Sequence, residues 1–99
     1  KILKKGRIAL YSKELKIKNS TGLHARPATQ LVHMAERYHS KLTIIKEETG
    51  ENVVGDIKSI FSILSMGLMK GSMILIQGEG DDEKDAVDSI CDFINSLEE

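Results

Sequence analysis

Several residue types that mark common protein classes are scarce in this chain. Its 99 residues include one cysteine, one proline, no tryptophan and only 4% aromatic residues. The lone Cys91 excludes an intramolecular disulfide, whereas small secreted domains are commonly held by several, so a reducing, cytoplasmic setting is expected. Because aromatics are so few, Leu, Ile, Val and Met must fill the core, and Cys91 is expected to join them as a small apolar residue.

Long apolar runs and a dominant charge are also missing. No stretch approaches the roughly 18 residues of a membrane-spanning helix, and the basic start lacks the apolar segment of about 7 residues that a signal peptide needs. The net charge of -1 hides an uneven distribution: residues 1–18 hold seven Lys or Arg against one Glu, and residues 79–99 hold nine Asp or Glu against one Lys. Nucleic-acid and membrane partners are therefore not expected.

What the sequence does contain is typical of one folded domain. Hydrophobic residues make up 40% of the chain and charged residues 29%, whereas disordered chains combine little apolar content with a high net charge. A chain of this length has room for one core. Residues 1–12 fit no regular pattern and are interpreted as an N-terminal extension of unknown role, so the domain is expected over residues 13–99.

Periodicity predicts seven secondary-structure elements. Polar and apolar residues alternate over 14–18, as in a half-buried strand, and apolar residues recur every three or four positions over 25–39, as in a helix. The remaining predicted elements are hairpin strands over 41–46 and 51–54, a short helix over 59–69, a strand over 73–76 and a C-terminal helix from about Asp81. The order β-α-β-β-α-β-α favours the α+β class, with a four-stranded antiparallel sheet and three helices on one face.

Among three histidines, His24 alone stands where a loop enters a predicted helix. First-turn amides of a helix have no intrahelical partner and the helix dipole adds positive charge, so an anion is stabilised there. Arg26 adds a planar cation suited to phosphate oxygens. Gly22 permits a tight turn and Pro27 fits the first helical turn. This position favours the binding of a phosphoryl group.

The imidazole of His24 supplies the matching chemistry. Neutral imidazole is nucleophilic, and the reference pKa of histidine, about 6.5, leaves that form populated at neutral pH. The simpler alternative is an N-cap or surface histidine, but the adjacent Arg26 and Pro27 favour a residue that accepts and releases phosphate. His33 and His39 lack the spacing of zinc ligands, so both are assigned to the helix surface and no metal site is expected.

The segment around His24 reads Thr21-Gly22-Leu23-His24-Ala25-Arg26-Pro27-Ala28-Thr29. It resembles the active-site signature of HPr, the histidine-containing phosphocarrier family of the bacterial phosphoenolpyruvate-dependent sugar phosphotransferase system (PTS). The resemblance extends over about residues 13–98 and implies an open-faced β-sandwich. It also implies that His24 is phosphorylated through Nδ1, with Arg26 beside the phosphate and the backbone amides of Ala25 and Arg26 as donors to it.

The same resemblance implies a phosphoryl carrier, not an enzyme. Such a carrier takes a group that originates from phosphoenolpyruvate, receives it from phosphorylated enzyme I and passes it to an enzyme II A-type domain during sugar uptake. No cofactor of its own is implied, and the protein is expected to be a cytoplasmic monomer.

A second stretch, Ile57-Lys58-Ser59-Ile60-Phe61, is similar to the segment around the regulatory serine that a dedicated HPr serine kinase/phosphorylase modifies. Ser59 is the matching residue. A phosphate there would add a charge of roughly -1.5 to -2 and repel acidic partner surfaces, which would slow transfer. The alternative is that Ser59 is only a helix N-cap, a common place for serine.

The resemblance also implies an apolar docking patch around the histidine, formed by Leu23, Ile60 and Phe61. On this interpretation the three side chains are partly exposed. The alternative is that they belong to the core.

Two alternatives to a sugar-transport carrier stay open. Ser62 stands where many family members have glycine, and the hairpin over Glu47–Asp56 is slightly long. Its length and its acidic Glu47-Glu48 pair are similar to the nitrogen-related HPr paralogues, which regulate and do not transport sugar. An alternative of another class is a small-molecule-sensing α+β domain, in which the His24 segment would be coincidental.

Overall fold

The computed structural model describes residues 10–48 and 50–98, which form seven elements in the predicted order. The strands are β1 (Tyr11–Lys16), β2 (Lys41–Glu48), β3 (Glu51–Asp56) and β4 (Met73–Glu79). The helices are α1 (Ala25–Ala35), α2 (Ile60–Ser65) and α3 (Glu83–Ser96). Tyr11 and Ser12 lie in β1, although the sequence placed them in the N-terminal extension, and residues 1–9 of that extension lie outside the described residues.

The strands form an antiparallel sheet in the order β1-β4-β2-β3. Side chains alternate along β4: Ile74 and Ile76 are buried and Leu75 between them is only half-buried. The helices pack on the buried face, where a Cβ added to Gly78 would lie 2.9 Å from Cγ2 of Val87 in α3. The α+β class and the open-faced arrangement are confirmed.

Aliphatic residues fill the core, as the composition predicted. The buried hydrophobic residues are Ile, Leu, Val, Ala and Met side chains together with Cys91, whereas Tyr11, Tyr38 and Phe93 pack against them only partly buried. Burial raises the pKa of the Cys91 thiol to about 11, so its reactive thiolate is scarce at neutral pH. Cys91 therefore contributes packing.

Helix α1 ends at Ala35, four residues before its predicted end at residue 39. The amides of residues 37 and 38 bond only three residues back, to the carbonyls of Met34 and Ala35, and a carboxylate from a distant part of the chain holds the next two amides. Asp82 accepts hydrogen bonds from the backbone amides of His39 (2.9 Å) and Ser40 (3.0 Å), and from the hydroxyl of Ser40. Amides held by Asp82 cannot continue the helical ladder, so the chain turns into β2.

Helix α2 is also shorter than predicted, ending at Ser65 and not at residue 69. Gly67 has a φ of +66°, a conformation that favours glycine and ends a helix. Lys46 of β2 reaches the last turn, where its Nζ donates to the carbonyl oxygens of Met66 (3.3 Å) and Gly67 (3.1 Å). These carbonyls belong to the end of the helix dipole that attracts cations.

Asp88 of α3 ties that helix to β1. Its carboxylate accepts hydrogen bonds from the Tyr11 hydroxyl (2.8 Å), Lys13 Nζ (3.2 Å) and Lys84 Nζ (2.9 Å). These donors, Lys84 first, lower the pKa of Asp88 to about 2. The ionised carboxylate thus joins the edge strand to the helix layer. Within the described part of the chain, no helix is both long and apolar enough to cross a membrane.

Candidate functional site at the start of α1

His24 is the residue that begins α1, and its side chain is exposed. Its backbone is extended (φ −85°, ψ −169°), and its carbonyl oxygen accepts the first helical hydrogen bond, from the Ala28 amide at 2.9 Å. The imidazole makes no capping hydrogen bond. His24 is thus the N-cap by position, as the simpler alternative held, but its side chain does not cap the helix.

The first turn of α1 supplies no carboxylate of its own to the positive end of the helix. Ala25 and Arg26 lie in this turn, where backbone amides have no acceptor within the helix. The turn contains no acidic residue, and the acid that lines the same cavity, Glu98, follows α3 in the chain. Because the amides and the dipole act together, the start of α1 favours an anion.

A shallow cavity of about 470 Å³ opens at this helix start. His24, Ala25 and Arg26 line it together, so the predicted nucleophile, cation and amides share one site. Sequence reasoning missed four other lining residues: Asn19, Gln30, Leu97 and Glu98. Gln30 could have been found one helical turn after Arg26, whereas the approach of residues 97 and 98 depends on how α3 packs.

Gly22 fixes the turn that leads into His24. Its φ is +66°, and a Cβ there would lie 2.3 Å from the carbonyl oxygen of Leu68. The same Leu68 oxygen accepts a hydrogen bond from the Leu23 amide at 3.0 Å. Any residue larger than glycine would disrupt this contact, so the glycine is required by close approach as well as by its conformation.

The predicted partial exposure of Leu23 is wrong. Its side chain is only 4% exposed and belongs to the core cluster. The turn at Gly22 directs the Leu23 side chain into the core although the next residue, His24, is exposed.

Ile60 and Phe61 do have the predicted exposure, and Phe61 is 80% exposed. Together with Leu64 and Met69 they form an exposed apolar surface, here named the α2 patch. The patch adjoins the His24 loop, because a Cβ on Gly22 would lie 2.8 Å from Cα of Met69. A partner seated on the α2 patch would therefore be close to His24.

Ser59 is the N-cap of α2. Its half-buried side chain accepts a hydrogen bond from the Ser62 amide at 3.2 Å, and its own amide donates to Asp56 at 3.0 Å. The capping role is confirmed. Its phosphorylation stays a prediction.

His33 and His39 are exposed, but only His33 lies on a helix, because α1 ends before residue 39. His39, Asp81 and Asp82 have potential ligand atoms within 4.8 Å of one another. The Asp82 carboxylate already accepts the hydrogen bonds of the 39–40 turn, and these hydrogen bonds lower its pKa, the Ser40 hydroxyl contributing most. This cluster has a structural explanation.

Known proteins resemble the chain over nearly its whole length. A family model described as the PTS HPr component phosphorylation site matches residues 11–96. The phosphocarrier protein HPr of Buchnera aphidicola subsp. Schizaphis graminum is 38% identical over 89 residues, covering 90% of this chain and 100% of the relative. The phosphocarrier protein HPr of Borreliella burgdorferi is 39% identical over 90 residues, covering 91% of this chain and 100% of the relative.

A solved structure gives the same relationship. The crystal structure of HPr-C-His from Thermoanaerobacter tengcongensis has 37% sequence identity and a TM-score of 0.75. The alignment covers 87% of this chain and 92% of that one. The structural comparison and the sequence comparisons therefore indicate the same family.

Proposed function

The chain belongs to the HPr family of PTS phosphocarriers, and from this premise we propose that His24 accepts a phosphoryl group from phosphorylated enzyme I and passes it to an enzyme II A-type domain. The observation that carries the proposal is the start of α1, where an exposed imidazole without a capping bond shares a cavity with Arg26. The ultimate phosphate source is phosphoenolpyruvate, and the carrier needs no cofactor of its own.

The transfer is an in-line exchange at phosphorus. The Nδ1 lone pair of His24 forms a bond to phosphorus while the bond from phosphorus to the donor atom breaks, and the electron pair of that bond leaves with the donor. Charge spreads over the three equatorial oxygens. Arg26 and the first-turn amides of Ala25 and Arg26 stabilise this charge without reorganising. The reverse sequence of bonds delivers the group to the acceptor.

The α2 patch is the proposed docking surface for both partners. Phe61 offers a large exposed ring, and aromatic residues are common anchors of protein interfaces. The neighbouring contact between the Gly22 and Met69 segments places this patch beside the transfer site. Docking there would bring a partner's reacting group to His24 without covering the imidazole.

Carriage is preferred over small-molecule sensing because the family match spans residues 11–96 and includes the His24 site. A regulatory HPr paralogue is the second candidate, favoured by the long hairpin whose strand β2 extends through Glu47 and Glu48. The two are distinguished by the acceptor: a transport carrier phosphorylates a sugar-specific enzyme II A domain, and a regulatory paralogue does not.

The proposed location is the cytoplasm, and the lone buried Cys91 is consistent with its reducing environment.

The test is incubation with enzyme I and radiolabelled phosphoenolpyruvate. Wild-type protein should gain one acid-labile phosphate, and His24→Ala should gain none. His33→Ala is the matched control, since His33 is an exposed histidine of the same helix. Undiminished labelling of His24→Ala, or loss of labelling in His33→Ala, would contradict the assignment.

A further inference from the structure

Asn19 is a nearly buried polar residue in the loop that enters α1. Its side chain is only 5% exposed, yet it lines the cavity that contains His24 and Arg26. Buried polar side chains are costly unless they form hydrogen bonds, so an amide at this place requires a physical explanation.

The explanation is that Asn19 forms hydrogen bonds with both the amide and the carbonyl oxygen of Gly22. The Asn19 carbonyl oxygen accepts a hydrogen bond from the Gly22 amide at 3.2 Å. The side-chain Nδ2 of Asn19 donates to the Gly22 carbonyl oxygen at 2.9 Å. That carbonyl belongs to the peptide that joins Gly22 to Leu23, whose amide is bound on its other side by Leu68. The Gly22–Leu23 peptide, one residue before His24, is therefore held at its carbonyl oxygen by Asn19 and at its amide by Leu68.

We propose that Asn19 is a positioning residue for phosphoryl transfer, because its side-chain amide holds the Gly22 carbonyl and so sets the direction in which the chain presents His24. The inference rests on the proposed function of His24 and adds a residue to it. Asn19 does not touch the phosphate in this account; it acts through the Gly22–Leu23 peptide. Only a hydrogen-bond donor meets the need, since the Gly22 carbonyl is an acceptor.

Two substitutions separate positioning from packing. Asn19→Ala removes the donor and leaves the Gly22 carbonyl without this partner. Asn19→Asp keeps the size and shape but replaces the donor with a carboxylate oxygen, which repels the carbonyl and adds negative charge to the cavity. Small misplacements of a reacting group cost up to about 100-fold in rate, so we expect Asn19→Ala to transfer about 10-fold more slowly and Asn19→Asp more slowly still.

The measurement is steady-state phosphorylation by enzyme I and phosphoenolpyruvate, with the carrier concentration varied. A positioning role lowers kcat and leaves KM within about twofold, because the α2 patch that docks the donor is unaltered. Ser40→Ala is the matched control: Ser40 is another buried polar residue, but its hydroxyl bonds to Asp82 in the turn before β2. Ser40→Ala should lower the melting temperature and keep the wild-type kcat.

The outcomes distinguish a failure of the proposed role of Asn19 from a failure of the proposed function of His24. Wild-type kcat in folded Asn19→Ala and Asn19→Asp overturns the inference while leaving His24 labelling intact. A fall in kcat in Ser40→Ala equal to that of Asn19→Ala shows a general stability effect and also overturns it. If neither Asn19 variant shows a native circular dichroism spectrum at any temperature, the amide serves global stability and the inference fails. If the wild type itself is not labelled, the proposed function fails.

Discussion

Helices α1 and α2 begin in a similar way but use their first residues differently. His24 and Ser59 are both N-caps with extended backbone, with φ values of −85° and −122°. The Ser59 hydroxyl accepts a hydrogen bond from the helix it begins, and the side chain is half-buried. The His24 imidazole makes no capping bond and is exposed. The Ser59 side chain thus accepts a first-turn amide of its own helix, whereas the His24 side chain leaves the first-turn amides of α1 available to a ligand.

The start of α3 shows a third arrangement. Its first turn contains Glu83 and Asp85, and the Glu83 carboxylate accepts a hydrogen bond from the Gly80 amide at 2.9 Å. The protein's own anions thus occupy the positive end of this dipole. A helix start becomes a candidate phosphate site when neither its N-cap side chain nor an acid in its own first turn compensates the dipole. Among the three described helices, only α1 meets this condition.

The largest expected effect comes from breaking the turn before His24. Gly22→Ala places a Cβ against the Leu68 carbonyl and in a left-handed conformation, so we expect a loss of about 3 kcal/mol in the free energy of unfolding. Urea unfolding measures it. Gly50→Ala is the control, because Gly50 has a φ of +91° but no atom within 4 Å of the added Cβ. Equal losses in both variants would show that conformation alone matters.

Removing the cation should slow transfer at the α1 start. Arg26→Ala loses a charge-assisted contact to the phosphoryl oxygens, and we expect about a 10-fold lower rate of His24 phosphorylation with the fold intact. Rapid-quench labelling gives the rate. Arg37→Ala removes an exposed arginine beyond the end of α1 and should leave the rate unchanged. Equal rates in Arg26→Ala and wild type would make Arg26 a bystander.

The opposite pattern is expected at the start of α2. Ser59→Ala removes a helix cap and should lower the free energy of unfolding by about 1 kcal/mol, while His24 phosphorylation keeps its wild-type rate. Chemical denaturation and labelling check the two parts. Ser65→Ala, at an exposed serine in the last turn of α2, should change stability less. Unchanged stability in Ser59→Ala would remove the capping explanation.

The smallest expected effect concerns the acids of α3, which are structural. The pKa of Asp88 in the folded protein is about 2, below its reference value of 3.8. Its stabilising contribution is therefore complete above about pH 4 and is lost as pH falls through about 2. Asp88→Asn should be less stable than wild type at pH 7, and the difference should vanish near pH 2. Asp92→Asn serves as the control on the same helix. A difference independent of pH would contradict the assignment.

Features encoded by neighbouring residues could be predicted from the sequence. The order of the elements follows from local periodicity, and His24, Arg26 and Pro27 are adjacent in the chain. Features that depend on contacts between distant residues could not be predicted in this way. Asp82 holds the turn that follows α1, and Lys46 binds the carbonyls that follow α2; both residues lie far from those helix ends in sequence.

The candidate site divides in the same way. His24 and Arg26, which line one cavity, were predicted as site residues, but Asn19 was not, because its proposed role depends on a buried turn. Leu23 was assigned to a partly exposed docking patch because the family resemblance implies such a patch around the histidine. The turn at Gly22, which has a positive φ, instead places Leu23 in the core, and no periodic pattern in the sequence predicts this turn.

The proposed function requires that the start of α1, whose first turn contains no acid, accepts the phosphoryl group. The most direct measurement is heteronuclear NMR of the wild-type protein before and after phosphorylation by enzyme I and phosphoenolpyruvate. We predict a phosphorus coupled to Nδ1 of His24, with the largest amide shifts at Ala25 and Arg26 and little change at Ser59. A phosphate on His33 or His39, or amide shifts centred on the start of α2, would contradict the account.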